Sequence, residues 1–323
     1  MPLKKVKFVA TADQRLDALL AEWLPEALGR PVSKSKGRKL IMAGAVRVNG
    51  KPVRVASRAL LQGANIEGSI DLAKLFEDSP SRDRPFELMP DRILFEDDDL
   101  IVVDKPPGIP SQPTADETRD NLLAALHRFL SKRDRTVNPY VGVHHRLDRD
   151  TSGAVLFTKS HRVNAATAEM FSKHLVVKTY EALTVPRRSS GLRTTLAREW
   201  TIRNHLGKIS SKSKRARYGA VDSRGTPAET SFRLIAEYPG GTWIKAIPKT
   251  GRTHQIRVHL SEYGLPILGD DLYGSDSAEN GLAPRLMLHA AQLIFPHPIT
   301  RRKMSVESPL PGDFQQCLSQ IKR

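Results

Sequence analysis

The chain has 323 residues, of which 39% are hydrophobic and 27% charged, enough apolar residues to build a core. At this length two domains are expected. There are 51 Lys and Arg against 35 Asp and Glu, a formal net charge of +16. That balance favours a phosphate polymer such as nucleic acid as the partner, while a basic proteome or an anionic membrane surface are the alternatives. The single cysteine, Cys317, excludes an intrachain disulfide and a cysteine metal cluster.

The N-terminal segment, residues 1–10, is basic and then briefly apolar. Its apolar part is too short for the core of a signal peptide. Nowhere does the chain carry the run of roughly 18 apolar residues that a transmembrane helix needs. We therefore expect a cytoplasmic protein that does not enter a membrane.

Two helices are predicted next. Apolar residues recur at helical spacing over residues 13–28, and Pro25 together with Gly29-Arg30-Pro31 is expected to end this first helix. A second, basic helix follows, with Ser33 or Ser35 as its candidate N-cap and Gly44 at its end.

A hairpin is predicted over residues 46–53, because Asn49-Gly50 suits a tight turn with positive backbone φ angles. Residues 1–70 contain 13 Lys and Arg against 5 Asp and Glu, which gives +8, half of the charge of the whole chain. This unit is either a solvated, self-folding module or an RNA-binding one. Residues 73–90 are charged and contain prolines, which is typical of a linker between domains at 1–72 and 91–323.

The second domain is predicted to begin with a buried strand over residues 100–103. Pro106 and Pro107 cannot continue a sheet ladder, so the strand must stop there. An amphipathic helix is predicted over residues 122–130.

Asp148 lies between Arg146 and Arg149, in a polar segment flanked by apolar residues 141–143 and 154–157. This pattern predicts a turn between two strands. Arginines beside a carboxylate favour its ionised form, which suits a nucleophile, a base or a charge stabiliser. The alternative is an ordinary surface ion pair.

Two downstream segments are ambiguous on their residues alone. Tyr180 lies in a predicted strand over residues 176–183, where a tyrosine is more often a core residue than a catalytic one. Residues 187–218 contain 10 Lys and Arg and the single acid Glu199, which is typical of a solvated face or of an arm that lies on RNA phosphates.

Residues 249–260 alternate apolar and polar side chains and predict either a strand edge or a helix that starts after Thr250-Gly251. His254 and His259, together with the pair His144-His145, could suggest a metal site. Because no carboxylate motif such as His-Glu-x-x-His accompanies them, we do not expect a metal.

Several of these segments together resemble a known family. Residues 145–153 (His-Arg-Leu-Asp-Arg-Asp-Thr-Ser-Gly) resemble the signature of RluA-type RNA pseudouridine synthases, and residues 104–108, 178–180 (Lys-Thr-Tyr) and 251–259 (Gly-Arg-Thr-His-Gln-Ile-Arg-Val-His) resemble its other motifs. The resemblance implies an α+β fold with a mixed, largely antiparallel central sheet. It also implies isomerisation of uridine to pseudouridine without a cofactor, for which the sequence shows no binding motif.

The resemblance assigns roles to individual residues. Asp148 would be the catalytic residue, and Arg257 would pair with it. Tyr180 would stack on the target uracil and could help to move a proton. Arg146 would fill the gap left by the extruded base, and Leu260 would pack beneath that base.

The N-terminal unit resembles the S4 RNA-binding domain, whose basic helix and hairpin face RNA. The candidate RNA contacts are Lys34, Lys36, Arg38, Lys39 and Arg47. Among similar proteins, those with this domain commonly act on large-subunit ribosomal RNA, so we expect that RNA or its precursor particle as the partner of a monomeric protein. Transfer RNA is the alternative substrate. A non-catalytic S4-type RNA-binding protein and a metal-dependent RNA hydrolase are the other classes.

Overall fold

The computed structural model describes residues 3–29, 32, 34–72, 75, 85–114, 119–186, 197–210, 216–274 and 281–323. The chain divides into two compact units, Met1–Pro80 and Ser81–Arg323. The predicted linker, residues 73–90, lies largely outside the described part of the chain. No helix in the described ranges is long and apolar enough to cross a membrane.

The first unit packs two helices against short antiparallel strands. Within it, β1, β6, β3 and β4 form one sheet in that order, and β2 pairs with β5. In chain order the elements are β1 (Lys4–Val9), β2 (Gln14–Arg15), α1 (Leu16–Leu28), α2 (Lys34–Met42), β3 (Val46–Val48), β4 (Lys51–Pro52), β5 (Ala59–Leu60) and β6 (Asn65–Ile70).

The first helix ends at the second of its two predicted breaks. Pro25 lies inside α1, and the helix ends at Gly29, which takes the left-handed conformation with φ +65°. A proline removes one backbone donor from a helix. Here the buried side chain of Leu24 holds the helix against the core across that position. The break predicted at Gly29 is confirmed, whereas Pro25 does not end the helix.

The second helix begins at Lys34, so Ser35 lies within α2 and is not its N-cap. Ser33, the other candidate cap, lies outside the described residues. The chain turns after α2 at Gly44, whose φ is +76°. The predicted end of this helix is thus confirmed.

The predicted hairpin is also confirmed. Asn49 and Gly50 join β3 to β4 with φ values of +48° and +76°, the geometry that an Asn-Gly turn favours. The sequence analysis missed β1 and β6, which pair along their full length. Lysines alternate with apolar residues in β1 and made the segment look like a basic tail, whereas charged side chains are typical of an edge strand.

The second unit surrounds a long sheet with helices. Its elements are β7 (Ile93–Glu96), β8 (Leu100–Lys105), α3 (Leu122–Asp134), β9 (Gly142–Val143), β10 (Ser152–Thr158), α4 (Asn164–Ser172), β11 (Val177–Thr184), β12 (Glu199–Ser210), β13 (Arg217–Val221), β14 (Thr226–Tyr238), β15 (Gly241–Pro248), α5 (Gln255–Glu262), β16 (Leu288–Pro296), β17 (Lys303–Glu307) and α6 (Gly312–Ile321).

Across the described ranges of this unit, eleven strands form one sheet. Nine follow the order β13-β12-β14-β15-β11-β16-β10-β8-β7, with β17 beside β16 and β9 beside β10. The pair β10–β16 is parallel. The remaining pairs in the described sheet are antiparallel. The predicted α+β fold with a mixed, largely antiparallel sheet is confirmed.

The central strands are buried on both faces. In β8, Ile101 and Val103 belong to one apolar core, while Leu100 and Val102 belong to the core on the opposite face. All four side chains are fully buried. Double burial explains why the strand is uniformly apolar rather than alternating. The predicted strand and its stop before Pro106 are both confirmed.

The basic segment 187–218 is only partly described, because residues 187–196 and 211–215 lie outside the described ranges. Its described part contains β12 and the beginning of β13, at one end of the sheet. Whether the segment contacts RNA stays a prediction.

Gly153 allows β10 and β16 to approach each other closely. Its φ is +116°, and an added Cβ would lie 2.2 Å from the carbonyl oxygen of Ala290. We expect Gly153→Ala to lower the free energy of unfolding by roughly 2–4 kcal/mol, because it adds both backbone strain and a clash with backbone. Urea denaturation would measure this. Gly281→Ala, whose Cβ would meet nothing within 4 Å, is the control, and equal midpoints for the two variants would contradict the prediction.

Candidate active site

The polar segment around Asp148 forms the loop between β9 and β10, which pair as an antiparallel hairpin. The predicted turn between two strands is confirmed. A neighbouring loop holds this one in place: the Ser111 hydroxyl accepts the backbone N–H of Leu147 and donates to its carbonyl, both at 2.9 Å. Leu147 itself is buried. Asp148 therefore follows an anchored residue.

A buried lysine also joins the same two loops. Lys105 is fully buried, and its ammonium donates to the carbonyl oxygens of Pro106, Ile109 and Arg149 at 2.8–2.9 Å. Burial lowers the pKa of this amine to about 7. The sequence analysis included Lys105 in a motif, residues 104–108, but assigned it no role. The available signal was a lysine at the end of a buried strand, directly before two prolines.

Asp148 takes its nearest charged partners from a distant part of the chain. Its Oδ2 lies 3.4 Å from Nη1 of Arg257 and 3.9 Å from Nε2 of His254. Arg149 pairs with Asp150 through two contacts of 2.9 Å, and Arg146 is exposed. The expectation that the two flanking arginines hold Asp148 was therefore wrong for Arg149, because its guanidinium is directed to the next carboxylate along the loop.

Arg257 is held by a second carboxylate. Its Nε and Nη2 donate to the two oxygens of Asp270, both at 2.8 Å. The Asp270 side chain is fully buried and also accepts the backbone N–H groups of Leu272 and Tyr273 at 3.0 Å. Burial acts to raise the pKa of Asp270, but the hydrogen bonds and charge of Arg257 outweigh it, so this pKa is lowered.

This arrangement refines the predicted pair of Arg257 and Asp148. The contact is present, but the two shorter hydrogen bonds of Arg257 go to Asp270. Bidentate pairing fixes the plane of the guanidinium and leaves Nη1 directed to Asp148.

Tyr180 lies in β11, between Ala246 of β15 and Ala290 of β16. The predicted strand is confirmed. The side chain is largely buried, yet it lines the same cleft as Asp148. Burial, and secondarily the charge of Asp148, raises the pKa of the Tyr180 phenol. The ring is therefore neutral at physiological pH, and its role in catalysis stays a prediction.

Leu260 does not reach the cleft. It is fully buried in the core of the second unit. Ile256, Leu288 and Phe171 supply apolar wall to the cleft instead. Leu260 lies on the core side of α5, one turn after Ile256, and its contact with the target base stays a prediction.

The cleft has a volume of about 380 Å³, within the usual range for ligand sites. It brings together the signature loop, β11 and the start of α5. The candidate catalytic residues Asp148, Tyr180 and Arg257 line it, as do Arg146 and His254. The structure thus collects four of the five predicted residues of this site and excludes Leu260.

Residues 255–262 form helix α5, so of the two predicted alternatives the helix is correct. Its first six residues are all buried, which hides the helical period. His259 is bonded to Thr230 and Asn204 at 3.0 and 2.9 Å, and burial lowers its pKa to about 4. Among the described residues, no group of three or more His, Cys, Asp or Glu could hold a metal.

The first unit contains a different ion cluster. The side chain of Asp17 is fully buried and accepts hydrogen bonds from Arg15 at 3.0 and 3.1 Å and from Arg38 at 2.9 and 2.6 Å. Hydrogen bonds from Arg15 and Arg38 hold the pKa of Asp17 well below its usual range. Arg38, predicted as an RNA contact, therefore also joins α2 to the start of α1.

The other predicted RNA contacts differ in exposure. Lys39 and Arg47 are exposed and Lys36 is partly buried, while the side chain of Lys34 lies outside the described part of the chain. Arg47 makes a long hydrogen bond of 3.4 Å to the carbonyl of Gly50. Contact of these residues with RNA stays a prediction.

We expect Lys39→Ala combined with Arg47→Ala to weaken RNA binding and to reduce the salt dependence of the association constant by roughly 2 in its logarithmic slope, about 1 for each lost phosphate contact. Filter binding over a salt series would measure the slope. Arg302→Ala with Lys303→Ala removes one Arg and one Lys, both exposed, from the second unit. Equal slopes for the two double variants would contradict a specific role for the basic helix and hairpin.

Comparison with known proteins agrees with the fold. The solved structure of human RNA pseudouridylate synthase domain-containing protein 4 matches with a TM-score of 0.57 at 23% identity, over 71% of this chain and 92% of that one. Human RNA pseudouridylate synthase domain-containing protein 1 matches with a TM-score of 0.54 at 26% identity, over 70% and 86%. The second unit therefore has the fold of pseudouridine synthases, with a cleft that contains one candidate catalytic carboxylate.

The family is shown by its sequence models and its relatives. The RNA pseudouridylate synthase family matches residues 99–262, and the S4 domain matches residues 14–66. Ribosomal large subunit pseudouridine synthase D of Haemophilus influenzae is 32% identical over 96% of this chain and 91% of that protein. The protein of the same name from Nitrosomonas europaea is 34% identical over 73% and 67%. The chain therefore belongs to the RNA pseudouridylate synthase family, whose members are isomerases, and carries an N-terminal S4 domain.

Proposed function

We propose that this enzyme isomerises specific uridines of large-subunit ribosomal RNA. The observation that carries the proposal is that relatives named for the large ribosomal subunit align over 96% of the chain, the S4 domain included. Residues 1–70 carry +8 of the formal net charge of +16. A basic module of this kind supplies phosphate contacts that position a large RNA without reading its sequence.

The residues of the cleft suit the reaction. Conversion to pseudouridine breaks the bond between N1 and C1′, joins C5 to C1′, releases the hydrogen of C5 and places a hydrogen on N1. Atoms and electrons balance without a redox partner. Asp148 is the group that acts on the ribose or the base, and Nη1 of Arg257 lies 3.4 Å from its Oδ2. Tyr180 offers a flat neutral ring and a hydroxyl in the same cleft.

Arg146 is positioned to support an extruded base. Taking a base out of its stack costs roughly a few kcal/mol. Arg146 is exposed and lines both the cleft of Asp148 and a second cavity of about 480 Å³, which also contains Ser111 and Gln112. Because Arg146 borders both cavities, its guanidinium can enter the gap in the base stack that the target uridine leaves.

The test is tritium release from RNA labelled at C5 of uridine, measured with transcripts of large-subunit ribosomal RNA and with transfer RNA. Release from the ribosomal RNA, unchanged by a chelator, is the expected result. Release from transfer RNA alone would show that transfer RNA, and not ribosomal RNA, is the substrate. Tight binding of RNA with no release would favour a non-catalytic S4-type protein, and chain cleavage that a chelator stops would favour a hydrolase.

The same proposal includes a monomer that acts in the cytoplasm, where ribosomal precursor particles are its partners. One cleft in one chain contains Asp148, Tyr180 and Arg257, so the site needs no second copy. Sedimentation analysis is expected to give the mass of a single chain. A stable dimer would contradict this part of the proposal.

A further inference from the structure

His254 lines the cleft, and the reaction described for Asp148, Tyr180 and Arg257 assigns it no role. It directly precedes α5 and takes the left-handed conformation, with φ +59°. Its Nδ1 lies 2.9 Å from the hydroxyl oxygen of Tyr273, and its Nε2 lies 3.9 Å from Oδ2 of Asp148. The ring therefore spans the distance between a buried tyrosine and the candidate catalytic carboxylate.

The surroundings of Tyr273 define which nitrogen of His254 carries the hydrogen. The hydroxyl oxygen of Tyr273 accepts the backbone N–H of Tyr218 at 2.9 Å. The arrangement that also pairs the hydroxyl hydrogen of Tyr273 directs it to Nδ1 of His254, 2.9 Å away. Nδ1 is thus an acceptor, and in a neutral imidazole the hydrogen must be on Nε2, the nitrogen that faces Asp148.

Packing holds the imidazole in this orientation. The rings of Tyr218 and Tyr273 meet it edge to face, with centroids 5.7 and 5.5 Å away. Tyr273 is itself buried under the guanidinium of Arg257, 5.1 Å from its ring centroid. Of the charged groups around His254, Asp148 and Asp270 favour its protonation, while Arg257 and Arg146 oppose it; burial is the largest influence and lowers the pKa of His254.

We propose that His254 is a catalytic hydrogen-bond donor, whose Nε2–H is offered to a carbonyl oxygen of the target uracil as the ring separates from the ribose. This inference rests on the proposed function. When the bond between N1 and C1′ breaks, the uracil keeps the electron pair, and negative charge spreads to its carbonyl oxygens. A donor that is fixed before the reaction stabilises charge of this kind.

The distance from Nε2 of His254 to Asp148 leaves this donor available to the substrate. A separation of 3.9 Å is too long for a hydrogen bond. Nε2–H therefore faces the space beside the carboxylate and is not hydrogen-bonded to it. The bond from Tyr273 orients the ring before substrate arrives, so no reorganisation is needed during the reaction.

The tautomer can be tested without RNA and without activity. Nitrogen-15 NMR of the histidine side chains should show Nδ1 of His254 as the unprotonated nitrogen and Nε2 as the protonated one. Tyr273→Phe removes the donor to Nδ1 and is expected to give a mixture of tautomers. A hydrogen on Nδ1 in the wild type would overturn the proposal.

The role in the reaction needs a substrate-based test with excess enzyme and a single turnover. We expect His254→Ala to lower the rate constant of tritium release by roughly 10²-fold, the usual effect of removing one such donor, with RNA affinity retained. His254→Gln keeps an N–H donor and should recover part of the loss. Loss of RNA affinity with an unchanged rate constant would overturn the proposal.

Substitution of the target uridine by 2-thiouridine or 4-thiouridine identifies the acceptor. Sulfur accepts hydrogen bonds weakly, so one of the two substitutions should cost much less in His254→Ala than in the wild type. Additive effects for both would mean that His254 does not donate to the uracil. Wild-type protein without any tritium release would overturn the proposed function itself, whereas an active wild type matched by His254→Ala would overturn the role of His254 alone.

Discussion

Asp148→Asn is expected to abolish tritium release from C5 of uridine, with a loss of about 10⁴-fold or more in the single-turnover rate constant. Asparagine has the same shape, but its amide cannot act as a nucleophile or a base under these conditions. It also leaves Nη1 of Arg257 without an anionic partner at 3.4 Å. The measurement compares the two proteins on the same labelled RNA, with the enzyme in excess.

Folding and binding should survive this change. The side chain of Asp148 is 20% exposed, and Arg257 keeps its two bonds to Asp270. Asp150→Asn is a matched control, because it neutralises a carboxylate of the same loop that pairs with Arg149 at the surface. We expect Asp150→Asn to retain most activity. Equal losses in both variants would show that the loop, rather than the carboxylate at position 148, was damaged.

The parts of the site that the sequence predicted are those that lie in short continuous motifs. Asp148 and Tyr180 each lie in such a motif. The strands β8 and β10 were predictable for a different reason: burial on both faces requires uninterrupted apolar residues. Local sequence patterns therefore predicted both the main strands and the position of the carboxylate.

Contacts between distant segments could not be predicted in this way. The pairing of Arg257 with Asp148, 109 residues apart, was available only from the family resemblance. No spacing rule reveals that the same guanidinium is shared with Asp270. Among the described residues the partners of Lys105 are backbone carbonyls, so no side-chain pattern marks them. Both residues set the geometry of the loop that carries Asp148.

The position of Leu260 relative to the cleft could not be predicted from its motif. Six successive residues of α5 are buried, so the motif alone did not show which side of the helix meets the cleft. The bond between Arg38 and Asp17 was missed for a related reason, since a basic helix in a basic protein resembles a surface for phosphate. In both places the residue type was read without its packing partner.

Arg257→Met is expected to be the most destabilising single change at the site, by about 3–5 kcal/mol at neutral pH. Arg257 is 8% exposed and Asp270 is fully buried, so the variant leaves a carboxylate in the protein interior without its cation. Chemical denaturation at several pH values would measure the loss. A change below about 1 kcal/mol would contradict the prediction.

The pH dependence provides a second test of the same pair, because its sign should reverse. In the wild type the pKa of Asp270 is lowered. The corresponding stability is present above the ordinary carboxyl pKa of about 3.9 and is lost as the pH falls through the folded value. In Arg257→Met burial acts largely alone and raises the pKa of Asp270. The variant should therefore lose stability as the pH rises above about 4.

A double variant separates the structural role of Arg257 from its role in the reaction. Arg257→Met with Asp270→Asn removes the buried charge and keeps an oxygen to accept the N–H groups of Leu272 and Tyr273. Most of the stability should return, because loss of both charges avoids an unpaired ion. Tritium release should remain low, since Asp148 still lacks its cation. Recovery of activity together with stability would mean that Arg257 acts only by holding the fold around Asp270.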